Sequence, residues 1–106
     1  MIVVTCEVEV KRGYEVEYLE KVNNLIHACI HHHGILLYSI MSNTKDNSKF
    51  CWLEIWESDE DLQNHANSKE ISEWRKIKDN YLLDSKIEIW HFKDMVTNGL
   101  LKGFMI

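Results

Sequence analysis

The 106 residues contain no proline and only four glycines. No proline-rich or glycine-rich linker divides the chain, no segment repeats another, and nothing marks a second domain. The glycines are too dispersed for a phosphate-cradling loop or a nicotinamide-binding fingerprint. Cysteine occurs three times, at Cys6, Cys29 and Cys51. The odd number, wide separation and lack of CxxC spacing argue against a disulfide framework or a zinc knuckle, and fit small buried hydrophobes in a reducing compartment. No apolar run is long enough to span a bilayer, and no basic start followed by an apolar core precedes the first alternating residues, so a cytoplasmic protein is expected. A formal charge of −5 disfavours nucleic acid and anionic membrane as partners. No nucleophile stands beside a recognisable base and orienting group.

What is present is an apolar share of 45%, enough for one core. A single domain this small can also draw burial from a partner subunit. Residues 2–10 alternate, with Ile2, Val4, Cys6, Val8 and Val10 on one face, as a strand requires. After the turn Lys11–Gly13, residues Tyr18, Leu19, Val22, Leu25, Ile26, Cys29 and Ile30 recur at helical spacing, and Gly34 is placed to close that helix as a left-handed cap. Ile35–Met41 and Phe50–Glu57 read as strands joined through the turn-rich "SNTKDNSK". Ser58 sits where an N-cap belongs, with Asp59, Glu60 and Asp61 in the first turn of a second helix. That helix pauses near Asn67 and Ser68 and resumes through Ile71, Trp74, Ile77 and Tyr81. Lys86–Phe92 alternates as a fourth strand.

The order βαββαβ predicts an α+β, ferredoxin-like plait: a four-stranded antiparallel sheet with its helices on one face. The third strand is apolar on both sides, with Phe50, Trp52 and Trp56 against Cys51, Leu53 and Ile55. The chain's own helices cover one side only. A homodimer stacked through the bare faces into an α+β barrel is therefore expected, with residues 1–93 as the domain and the apolar tail 94–106 packed on the partner.

Within this frame "EIWES" (Glu54–Ser58), His65, "NSKEISEW" (Asn67–Trp74) and "HHHGILLYSI" (His31–Ile40) resemble the Glu-x-Trp…His…Ser signature of the antibiotic biosynthesis monooxygenase family, within the dimeric α+β barrel superfamily. The resemblance runs from Ile2 to Phe92. It implies cofactor-free oxygenases acting on phenols, anthrones or quinols, alongside haem-degrading oxygenases, isomerases of a phosphorylated autoinducer-2 derivative, and members of no known activity. The haem branch implies a first-strand asparagine, a tryptophan on the second helix and a later histidine as iron ligand. Here those positions hold Glu7, His65 and the neighbourhood of Arg75, so all three depart and haem degradation is not expected. His65 could still ligate a metal by another geometry.

A pocket between sheet and helices would be lined by Trp52 or Trp56, Glu54, His65, Trp74 and Tyr38. A carboxylate among indoles loses solvation, which raises its pKa; an imidazole beside it gains a partner for its charged form, and the pair is suited to moving protons near neutral pH. The structural alternative is that Glu54 pairs with Arg75 or a lysine at the dimer interface, that His65 bonds to backbone at the helix start, and that the tryptophans are core. His27 and His31 share a helix face, which suggests metal, but consecutive histidines at 31–33 point apart. A solvated helix C-terminus accounts for them more simply, and no metal site is expected. The leading function is a cofactor-independent monooxygenase taking a small aromatic or quinol-type substrate, with His65 the first candidate for moving the proton and Glu54 the second. The alternatives are an isomerase of a small phosphorylated dicarbonyl, for which Arg75 is the candidate cation, and a non-catalytic dimeric binding or stress-response protein.

Overall fold

Alternation along the first strand, β1 (Ile2–Val10), gives the sheet its two faces: Ile2, Val4, Val8 and Val10 are buried, and the residues between them are not. The structure, a computed structural model, describes residues 1–92. After β1 come α1 (Glu15–Cys29), β2 (Ile35–Ser42), β3 (Lys49–Trp56), α2 (Asp59–Ala66), α3 (Lys69–Ile77), a 3₁₀ turn (Lys78–Asn80) and β4 (Leu82–His91). The strands lie in the order β2-β3-β1-β4, and every neighbouring pair is antiparallel. This is the ferredoxin-like plait that the element order predicts. The interruption at Asn67 is also present, because the Ser68 hydroxyl accepts from the Ile71 amide (3.3 Å) and starts α3 as a separate helix. The tail assigned to residues 94–106 lies outside the described residues.

Cross-strand register defines the two sides. On the helix-facing side one row runs Tyr38, Glu54, Val4, Ile89, and the next Ile40, Trp52, Cys6, Ile87. Of these rows Tyr38, Val4, Ile40, Trp52 and Cys6 pack with Tyr18, Val22, Leu62 and Ile71 of the helices into the core, while Ile87 and Ile89 on β4 stay exposed. Tyr18 is fully buried, and its hydroxyl accepts a hydrogen bond from the Trp52 indole at 3.0 Å. That burial without a charged partner pushes the Tyr18 phenol up to about 12. On the opposite side the row Leu37, Ile55, Val3, Trp90 crosses all four strands. No helix among the described residues covers it.

Three features differ most from the sequence reading. The helix expected to run through Tyr81 ends at Ile77 and passes into the 3₁₀ turn Lys78–Asn80. β4 begins at Leu82, four residues before the expected Lys86, because β1 keeps pairing past a bulge at Glu9/Val10 and takes up Leu82 opposite Val10. Gly34 does not cap α1: the helix ends at Cys29, followed by Ile30 in right-handed geometry. Gly34 instead enters β2 at φ +81°, and a Cβ there would fall on the Asp61 carboxyl group. Glycine is needed for the backbone angle and for the close approach of α2.

Candidate active site

Strand alternation puts Glu54 on the helix-facing side of β3, in a row of apolar residues, so its carboxyl is enclosed rather than solvated. Its side chain is only 13% exposed. Trp56, two residues on and therefore on the same face, donates its indole N–H to Glu54 Oε1 at 3.0 Å. Above it stands His65, on the last turn of α2 and 5% exposed. Its position is set by the start of α2, where the Ser58 hydroxyl accepts from the Asp61 amide (3.1 Å) and donates to the Asp61 carboxylate (2.8 Å). His65 Nε2 lies 3.9 Å from Glu54 Oε1. Its ring centroid is 4.5 Å from that of Trp56 and 5.2 Å from that of Tyr38.

Burial pushes the Glu54 carboxyl up to about 7, with the Trp56 hydrogen bond opposing the rise. It pushes His65 the other way, down to about 4, assisted by the charge of His32 and against the pull of Glu70. The imidazole therefore does not gain a charged form beside Glu54, as the sequence reading expected. Desolvation outweighs attraction to a carboxyl 3.9 Å away that is itself only partly ionised at neutral pH. The arrangement at pH 7 is a titrating carboxyl beside a neutral imidazole.

Within the chain, the pairing of Glu54 with Arg75 is not present. Among the described residues no Lys or Arg lies within 4.0 Å of its carboxylate, and it faces the helices rather than the bare side of the sheet.

A cavity of about 250 Å³ opens beside this carboxyl, between the sheet and the helices. Six of the seven site residues expected from sequence line it: Tyr38, Trp52, Glu54, His65, Trp74 and Arg75. The seventh, Trp56, is fully buried behind Glu54 and holds the carboxyl instead of forming a wall. Arg75 is exposed, at the rim. Sequence reasoning missed Lys78, a second cation on the lining, although it stands one turn beyond Trp74. It also missed Ile87 and Ile89, which face the helix side of β4 yet are 65% and 55% exposed and form the apolar lip of the opening. Glu7 points to the bare face, away from the cavity.

The histidine run behaves differently from a solvated helix end. His31 is exposed, but the His32 ring turns inward, its Nδ1 2.8 Å from His65 Nδ1 and its Nε2 3.5 Å from Glu70. His33 bonds to Asp61 at 2.7 Å, which raises the imidazole pKa and lowers that of the carboxyl. Which of three consecutive histidines faces inward depends on the turn after Cys29, where the His32 amide donates to the Cys29 carbonyl at 2.9 Å. The Cys29 sulfur and one ring nitrogen each of His32 and His65 lie within 4.8 Å of one another, which makes them, among the described residues, a group able to hold a metal. The Cys29 thiol is pushed up to about 11 by burial.

The sequence profile of the antibiotic biosynthesis monooxygenases matches residues 1–77. No curated protein matches the chain significantly. Among solved structures, a conserved protein from Methanosarcina mazei superposes with TM-score 0.83 at 22% identity, covering 87% of this chain and 92% of that one. A candidate antibiotic biosynthesis monooxygenase from Nitrosomonas europaea gives 0.81 at 18% identity, covering 87% and 98%. Another from Deinococcus radiodurans gives 0.79 at 16% identity, covering 88% and 93%. At these identities the superpositions establish the fold, while the profile spans well over half the sequence. This chain belongs to the antibiotic biosynthesis monooxygenase family.

Proposed function

We propose that this chain is a cofactor-independent monooxygenase acting on a small aromatic or quinol-type substrate, with Glu54 as the proton acceptor. The observation that carries the reading is the aromatic-walled cavity with one buried carboxyl whose pKa is pushed to about 7. A base poised near the working pH combines a large ionised fraction with useful basicity. Its neighbour His65 stays neutral, so it can hydrogen-bond to the carboxyl without neutralising it. A cavity of about 150 Å³ suffices for benzene; at about 250 Å³ this one has room for a substituted ring.

Removal of a proton from an electron-rich substrate leaves an anion that can itself reduce dioxygen. One oxygen atom enters the product as a carbonyl and the other leaves as water, so no external reductant is consumed. The protein supplies the base, an apolar enclosure and orientation. Arg75 and Lys78 at the lining stabilise the oxyanion that develops when the proton leaves.

The same reading makes the bare row Leu37, Ile55, Val3, Trp90 a subunit interface in a homodimer. Trp90 is 54% exposed, a large apolar surface for an uncovered sheet.

Oxygen uptake with a panel of quinols and anthrones tests the reading. The wild type should consume oxygen in a substrate-dependent manner, and Glu54→Gln should lower kcat/KM by roughly 10²- to 10⁴-fold while remaining folded. Equal uptake by both proteins would remove Glu54 from the reaction.

A further inference from the structure

We infer that Cys29, His32 and His65 form a binding site for a first-row divalent cation of the zinc type, behind the cavity. The inference is independent of the oxygenase reading, because two of the three residues, Cys29 and His32, are not on the cavity lining.

Three donor groups converge. Cys29 ends α1 and is fully buried, and the tight turn after it brings His32 back to the same side. His65 arrives from α2, and one donor atom from each residue lies within 4.8 Å of the others. A thiolate with two imidazoles is a donor set suited to zinc.

The outer nitrogens carry the second observation. His32 Nε2 faces the Glu70 carboxylate at 3.5 Å, and His65 Nε2 faces Glu54 at 3.9 Å. The Glu70 carboxylate beside His32 biases that ring toward a proton on Nε2, and the partly ionised Glu54, beyond hydrogen-bond reach at 3.9 Å, biases His65 the same way more weakly; metal-bound imidazoles are oriented by such surroundings. The two Nδ1 atoms stand 2.8 Å apart, a separation bridged either by a proton on one of them or by a cation that both ligate. A small spread of the two rings admits a metal ion, and the buried sulfur supplies the negative charge. Binding replaces the thiol proton: the S–H bond breaks, an S–metal bond forms, and one proton goes to solvent. The bound cation would also fix the His65 tautomer that presents N–H toward Glu54, which makes it a positioning element for the cavity.

The test uses tag-free, reduced protein titrated with Co²⁺ alone, then with Zn²⁺. The expected result is saturation at one Co²⁺ per chain, thiolate-to-cobalt charge-transfer and tetrahedral ligand-field absorption, and displacement by Zn²⁺ with release of one proton per site. Cys29→Ser should abolish the charge-transfer band, and the double variant Cys6→Ser/Cys51→Ser should keep it. Glu70→Gln, at a half-exposed position, should weaken binding by roughly 10- to 100-fold without loss of fold. Absence of saturable binding to the wild type would overturn the inference and leave a proton shared between the two Nδ1 atoms. A charge-transfer band that survives Cys29→Ser would also overturn it, placing the metal on another thiol.

Discussion

Glu54 and His65 are moved in opposite directions by the same burial, and the consequence is readable in stability against pH. The unfolded carboxyl titrates near 4.5 and the folded one near 7. Between those values the folded state holds a proton that the unfolded state has lost, so stability falls as pH rises through this window. The unfolded imidazole titrates near 6.5 and the folded one near 4. Here the unfolded state binds the extra proton, so stability is present above 6.5 and is lost as pH falls toward 4. Each span is equivalent to roughly 3 kcal/mol, and in the wild type the two slopes largely cancel where they overlap. Urea denaturation at several pH values should show the cancellation lifted by single variants. Glu54→Gln should gain stability steadily from pH 4 to 6.5, and His65→Gln should lose it from 4.5 to 7. Parallel curves for all three proteins would show that neither group is desolvated as described. The sequence carried half of this pair: alternation alone put Glu54 among the indoles. The enclosure that depresses His65 comes from His32, Trp56 and Tyr38 meeting in space, and no local pattern announces that meeting.

At the scale of elements, α2 carries His65, and its two attachments can be broken separately. Ser58→Ala removes the side-chain partner of the Asp61 amide and should cost about 1 kcal/mol, measured as a lowered urea midpoint. Gly34→Ala sets a Cβ against Asp61 in a backbone conformation that disfavours one. It should cost more, at least about 2 kcal/mol, and should shift the His65 ring resonances because α2 must move. A neutral Gly34→Ala would contradict the close docking of α2 on the start of β2. The Ser58 cap and the apolar spacing made α1 and α2 legible and showed α3 as the resumption of an interrupted helix, while Ser68 as its own cap is seen only in the structure. The start of β4 was not legible. Leu83, Asp84 and Ser85 show no alternation and are exposed; Asp84 and Ser85 are strand because β1 offers them a ladder, and Leu83 is the extra residue at the bulge. Gly34 was noticed for its freedom of backbone angle, yet the contact that demands glycine comes from Asp61, distant in sequence.

For the whole molecule, the apolar row Leu37, Ile55, Val3, Trp90 gives way along the strands to Met41, Cys51, Glu7 and Lys86. The bare face is therefore more apolar at the Trp90 end, while Met41 is 45% exposed at the other. Sedimentation should report twice the chain mass for the wild type and the chain mass for Ile55→Lys, whose charge would be buried without a partner. A wild-type monomer would remove the interface. No helix among the described residues is long and apolar enough to cross a membrane. The proposed chemistry depends on the chamber between sheet and helices keeping one carboxyl out of water, and that can be read directly. In protein labelled with ¹³C at the glutamate carboxyls, one resonance should titrate near pH 7 and vanish in Glu54→Gln. If every glutamate carboxyl titrates in the ordinary range near 4.5, Glu54 is solvated and the account of this site is wrong.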